Sequence, residues 1–185
     1  QMGTDLTFNK GTDGSYTIKD KNGGVLEFVP GGYLHKIKDK NDNTLTLSYD
    51  GIILKKITDG AGRVTTLDVL SNGYLVGIIE PDGSRTSFAY NGQQLSKITY
   101  PDGNYTVFTY DSKNNLKKVL NYDGYNINYD YYTQAPYRVS SIKEFGTDGA
   151  AGESLAIAYG YNTTTFTDNK SRVNLYQFTD YGMTK

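Results

Sequence analysis

Cysteine is absent from the 185 residues, which excludes a disulfide framework, thiolate chemistry and every Cys-ligated metal or cluster. Histidine occurs once, as His35. A hydrolytic triad would have only that one imidazole as its base, with no nucleophile and orienting group recognisable beside it. Glutamate is scarce too: Glu27, Glu80, Glu144 and Glu153 are the exceptions among twenty acidic residues, and the rest are aspartate. Glutamate favours helices, whereas aspartate bonds its own backbone in turns, so the acids read as turn residues. No apolar run approaches the ~18 residues of a membrane-spanning helix. Nineteen basic and twenty acidic residues are interspersed to a net charge of −1. That balance excludes a phosphate-backbone binder and a polybasic membrane patch.

The hydrophobic fraction is a low 37%, but 18 tyrosines, 7 phenylalanines and 21 glycines stand beside it. Disordered chains are poor in aromatic and β-branched residues; this one is rich in both and is expected to fold. Its apolar surface is carried by rings whose phenol ends can stay wet, and glycine punctuates it with tight turns.

The aromatics and glycines are periodic. Pro81-Asp82-Gly83-Ser84-Arg85-Thr86-Ser87-Phe88-Ala89-Tyr90 aligns with Pro101-Asp102-Gly103-Asn104-Tyr105-Thr106-Val107-Phe108-Thr109-Tyr110 at an offset of 20. Leu34 and Ile37 recur as Leu54 and Ile57, and one residue late as Leu75 and Ile78. An aspartate opens each unit at Asp39, Asp59, Asp82, Asp102 and Asp123, the last four followed by glycine (Gly60, Gly83, Gly103, Gly124). A tyrosine closes the first run at Tyr49, Tyr90 and Tyr110, with Leu70 in its place between them. Thr86, Phe88 and Tyr90 alternate with Arg85, Ser87 and Ala89, the period of a strand with one buried face. Asn91-Gly92 between two such runs predicts a type I′ hairpin turn, and Asp-Gly with Pro81 or Pro101 predicts the reverse turn into the next unit. Two short strands and two turns use about 20 residues.

The expected fold is therefore all-β: tandem antiparallel β-hairpin repeats stacking into one long sheet, twisted and curled because adjacent strands rotate by ~20–25°. Regular repeats are expected over 1–132. Degenerate repeats follow over 133–185, with a flexible loop at 146–153 and a final hairpin cut short after Tyr181-Gly182. An array with open ends exposes unpaired strand edges, so edge-to-edge self-association is expected.

Candidate sites are few, and no catalytic, metal-ligating or cofactor-binding residue is assigned. Asp39-Lys40-Asn41-Asp42-Asn43 has the oxygen content of a calcium loop, but an EF-hand needs Gly at its sixth position and Glu at its twelfth. Here Thr44 and Asp50 stand there, and a turn is the better reading. Paired carboxylates for glycoside hydrolysis could only be assembled from turn aspartates. The tyrosine rows read first as the packing seam of the sheet. The functional alternative makes Tyr105, Tyr125, Tyr129 and Tyr131 an outward platform for carbohydrate or a protein partner.

The tandem Asp-Gly-x-x-Thr-x-x-x-Tyr phase, with its downstream Leu and Ile, resembles the YD-repeat (Rhs) family over roughly 11–132, and less closely over 133–185. Wall-associated bacterial proteins, toxin-complex C components and teneurins are members. The resemblance implies a segment of a secreted or cell-surface bacterial β-shell, without catalysis of its own. Its partners would be the rest of the repeat array and an enclosed C-terminal toxin. The aspartate-dependent self-cleavage region of the family is not visible here, so no catalytic residue is carried over.

Overall fold

The computed structural model describes residues 5–179 and 182–183. Every regular element among them is a β-strand, and the chain forms two compact units, Gln1–Phe88 and Ala89–Lys185. The expected boundary at 132 was drawn on motif regularity, which is a different division of the chain.

The first unit holds β1 (Leu6–Lys10), β2 (Tyr16–Asp20), β3 (Val25–Phe28), β4 (Leu34–Lys38), β5 (Thr44–Asp50), β6 (Ile53–Thr58), β7 (Val64–Val69) and β8 (Leu75–Ile79). Strand β9 (Arg85–Asn91) crosses the division, and its first residues pair with β8. Each strand pairs antiparallel with its sequence neighbours. Because side chains alternate between faces, register sorts them. Phe8, Ile18, Leu26, Ile37 and Leu45 lie directly opposite one another on consecutive strands, as an apolar row on one face. Thr17, Glu27, Lys36 and Thr46 make a polar row on the other, where Lys38 bridges to Glu27.

The second unit repeats this logic with β10 (Gln94–Thr99), β11 (Tyr105–Tyr110), β12 (Leu116–Leu120), β13 (Asn126–Tyr131), β14 (Val139–Phe145), β15 (Ala151–Gly160), β16 (Thr163–Asp168), β17 (Val173–Thr179) and the short β18 (Gly182–Met183). Phe108, Val119 and Ile127 form its apolar row; Thr109, Lys118 and Asn128 form the polar one. The expected loop at 146–153 is shorter than its Gly-Ala-rich composition implied. Residues 146–150 make a tight turn, and Ala151 to Glu153 already belong to β15. Of the expected truncated hairpin, Tyr181 lies outside the described residues, while Thr179 pairs with Gly182.

Burial is shallow throughout. Ile157 (7% exposed) is the one buried hydrophobic and Thr106 the one buried polar side chain among the described residues. A single layer of sheet covers its side chains only with their neighbours in the row.

Loops of one geometry join most strands. In residues 80–84 the Glu80 N–H donates to the Ser84 carbonyl and the Gly83 N–H to the Glu80 carbonyl. The same pair of bonds recurs at 20–24, 39–43, 59–63, 100–104, 111–115, 121–125 and 168–172. The fourth residue must take positive φ: Gly83 and Gly103 do so at 86°, a conformation that a Cβ penalises. The Asn91-Gly92 hairpin differs from expectation. Asn91 stays in β9, and positive φ (60°) occurs at Gly92 but not at Asn91. One positive φ at the first central residue is the pattern of a II′ turn, whereas I′ needs two.

Candidate functional site

The opening aspartates occupy two loop positions, where the sequence suggested one phase. Asp39 and Asp59 stand first in their loops, and Oδ1 of each accepts two N–H groups, from Asn41 and Asn43 and from Ala61 and Arg63. Asp111 and Asp168 repeat this geometry. Asp82, Asp102 and Asp123 stand third, each accepting one N–H, from Ser84, Asn104 and Tyr125. The offset of 23 between Asp59 and Asp82 records that switch of position. The calcium-like run 39–43 is such a loop, its other carboxylate oxygen holding the Asn43 amide at 2.7 Å.

These bonds favour the ionised form. Asp59 is held below its ordinary pKa first by the Arg63 side chain and then by its backbone N–H, and Asp111 likewise by Asn115. Asp82 is lowered chiefly by the Ser84 N–H. Between strands, Asp130 is lowered by Lys143 and Ser141, each 2.8 Å from Oδ2.

The tyrosines have a backbone task. Tyr49 donates its phenol to the Leu34 carbonyl (2.9 Å), Tyr110 to Leu95 (2.9 Å) and Tyr131 to Leu116 (2.7 Å), each reaching back fifteen residues. On the other edge of Leu34 and of Leu116 the ladder shifts register, between Glu27 and Phe28 and between Thr109 and Tyr110. A bulge interrupts the ladder bonds there, and the next unit's phenol supplies a donor beside it. His35 is used similarly: its Nδ1 lies 3.2 Å from the Leu47 carbonyl, a contact that places the proton on Nδ1.

The four platform tyrosines are not assembled into one surface. The register through Phe108, Val119 and Ile127 puts Tyr129 and Tyr131 on one face and Tyr105 on the opposite one. Tyr105 is 46% exposed under the Lys97 ammonium, 4.0 Å from its ring centre, and Tyr125 sits in the turn before β13. Tyr131 is half-buried, and that burial pushes its phenol pKa up.

A concave site does occur where the repeat is interrupted. Residues 133–138 replace the standard loop between β13 and β14, closed by the Tyr132 N–H on the Arg138 carbonyl and the Tyr137 N–H on the Gln134 carbonyl (both 2.9 Å). Lys113 holds this loop, donating to the Tyr137 phenol at 2.9 Å with its ammonium 4.1 Å from the ring centre. A cleft of about 350 Å³ is lined by the loop residues Thr133, Gln134 and Arg138 together with Tyr132 and Tyr159. The two rings meet at 67° with centres 6.1 Å apart. Sequence reasoning missed this pair. The Gln134-Ala135-Pro136 insertion was its one local sign, and the 27-residue separation of the rings follows no repeat phase. Among the described residues there is no cluster of three or more His, Cys, Asp or Glu side chains placed to hold a metal.

The fold and its loops define a sheet-forming hairpin-repeat protein. No family model matches the chain, and no curated protein matches it by sequence. Solved structures share its fold. The Photorhabdus luminescens Tc holotoxin pore superposes with a TM-score of 0.58 at 13% identity, over 88% of this chain and 11% of that one. The TcdB2-TccC3-Cdc42 structure matches at a TM-score of 0.50 and 10% identity, over 93% of this chain and 14% of that one. TcdB2-TccC3 without its hypervariable C-terminal region gives 0.50 and 10%, over 97% and 14%. At these identities the likeness is one of fold, and the chain spans 11–14% of the length of these neighbours.

Proposed function

We propose that the chain is a non-catalytic wall segment of a secreted or surface-displayed bacterial Rhs-type protein, one stretch of a β-shell that encloses a toxic polypeptide. The observation that carries this reading is the bulge-and-phenol joint. Tyr49, Tyr110 and Tyr131 tie each hairpin to the one before it through backbone carbonyls, which is what a wall needs and an isolated binding module does not. Side chains along the strands are committed to rows, and loop aspartates to their own backbone, so chemistry-bearing groups are spent on architecture. The likeness of fold to toxin-complex components supports the same reading.

The test is limited proteolysis of the longer protein that contains this segment. The wall reading expects a C-terminal polypeptide protected from protease, and exposure of that polypeptide when residues 89–132 are excised. Equal protection with and without the excision would contradict it.

A further inference from the structure

We propose that the polar face of the first unit's sheet is a docking surface for an extended acidic segment of polypeptide, one with a carboxylate at every third or fourth residue. The proposal stands whether or not the chain is part of a shell.

The charges of this unit are sorted by position. Asp13, Asp20, Asp39, Asp59 and Asp82 accept backbone N–H groups in their own turns, whereas most of the bases stand on strands. Alternation and register bring Lys19 on β2, Lys36 and Lys38 on β4, Lys56 on β6 and Arg85 on β9 to the polar face. Three acids share it. Glu27 is held by Lys38 and Asp68 by Arg85, and Asp50 stands at the hairpin end of β5. Lys19, Lys36 and Lys56 have no ion pair among the described residues, and they leave this face with an excess of positive charge.

Those three lysines fall on one line. Lys19 shares a row with Val25 and Lys38. Two residues along β4 from Lys38 is Lys36, which lies opposite Thr46. Two residues along β5 from Thr46 is Ser48, which lies opposite Lys56. Each step is two strands across and two residues along, roughly 12 Å, which an extended chain covers in about three or four residues. The next step of the line falls on Gly77. There the Arg85 guanidinium occupies the space that a side chain would need, already paired with Asp68. Three lysines are therefore the anchors, and Arg85 marks the end of the line.

The spacing selects the partner. Duplex phosphates recur at about 3.4 Å along each strand, far denser than these ammonium groups. Single-stranded nucleic acid is held by bases stacked on aromatic rings, and no aromatic residue occupies the ladder positions of this face. Thr46, Thr58 and Thr66 stand there instead, with hydroxyls suited to the carbonyls and carboxylates of a peptide. Exposed charge pairs are individually weak, so the segment binds through their sum and loses affinity as salt screens them.

The experiment is an amide-resolved NMR titration of the isotopically labelled full chain. The probes are a Gly/Ser peptide with glutamates at every third or fourth residue, an isomer with the same glutamates consecutive, and a short oligothymidylate of equal charge. Perturbations are expected along β2, β4 and β6, with a Kd for the spaced peptide on the order of 1 mM at low salt and roughly threefold weaker binding of the isomer. Lys56→Gln should weaken the spaced peptide by about threefold, and Lys19→Gln with Lys36→Gln and Lys56→Gln by about tenfold or more. Lys40→Gln removes the same charge from the 39–43 loop and should leave affinity unchanged. The exposed Lys56→Gln variant preserves the test if the triple variant unfolds. Absence of perturbations on these strands, equal affinity for the two peptides, equal or tighter binding of the oligothymidylate, or equal effects of Lys56→Gln and Lys40→Gln would overturn the assignment.

Discussion

A tyrosine in this chain does two things at once, and its ends can be separated by mutation. In Tyr131 the ring packs half-buried in an apolar row while the phenol donates to Leu116. Tyr131→Phe keeps the ring and strands the carbonyl, so a loss of about 1 kcal/mol is expected in denaturant unfolding. Tyr105→Phe makes a matched control, since that phenol has no described acceptor, and a change within about 0.5 kcal/mol is expected. Equal losses at the two positions would show that the phenol bonds contribute nothing. The loop aspartates answer to acid. Their folded pKa values lie below the unfolded value of about 3.9, so their stabilisation is complete above that pH and is lost as pH falls through the folded values. Thermal midpoints should hold steady from neutrality to about pH 5 and decline below about pH 4. Asp59→Asn with Asp111→Asn should flatten part of that decline in a pH series of melting curves.

Elements were legible where local chemistry decides them. The Thr86, Phe88 and Tyr90 alternation marks β9 because one face packs and the other is wet. Asp-Gly marks loops because glycine, as at Gly83 and Gly103, takes the positive φ of the fourth position without the penalty of a Cβ. Asn91-Gly92 misled because two dipeptide placements fit one hairpin, and the strand ladder retains Asn91. The bulges beside Leu34 and Leu116 were invisible, since a bulge is a relation between strands and leaves no local composition. The same holds for the Tyr132–Tyr159 cleft, whose rings meet only after β14 and β15 have folded back. The loop rule is testable at its exceptions. Gly83→Ala meets no neighbouring atom yet has φ of 86°, and should cost about 1–2 kcal/mol through backbone strain alone. Asn114 occupies the equivalent position at φ of 68°, and Asn114→Gly should be neutral or stabilising. Chemical denaturation of both variants checks the pair.

Across the whole chain, the shortage of deep burial should show calorimetrically. With Ile157 and Thr106 as the buried side chains among the described residues, the chain is expected to unfold with a heat-capacity change below the 12–15 cal/mol/K per residue common to globular proteins. A value within that range would show that the rows are drier than their exposure indicates. Strand β1 carries the other whole-molecule expectation: among the described residues it pairs only with β2, and it displays Leu6 at 57% and Phe8 at 61% exposure. Concentration-dependent association in sedimentation is expected, reduced by Phe8→Lys, because a charge on an edge strand opposes pairing.

In each unit, strands are hydrogen-bonded to their immediate predecessors and successors in the chain. Such a topology has low contact order: no segment waits for a partner synthesised much later, and the closure entropy of each step is that of one short loop. Growth can then proceed like a zipper from the amino end, with each new hairpin templated by an edge already in place. A sheet built this way would be laid down at the pace of translation, and an unfinished one would always present a single active edge.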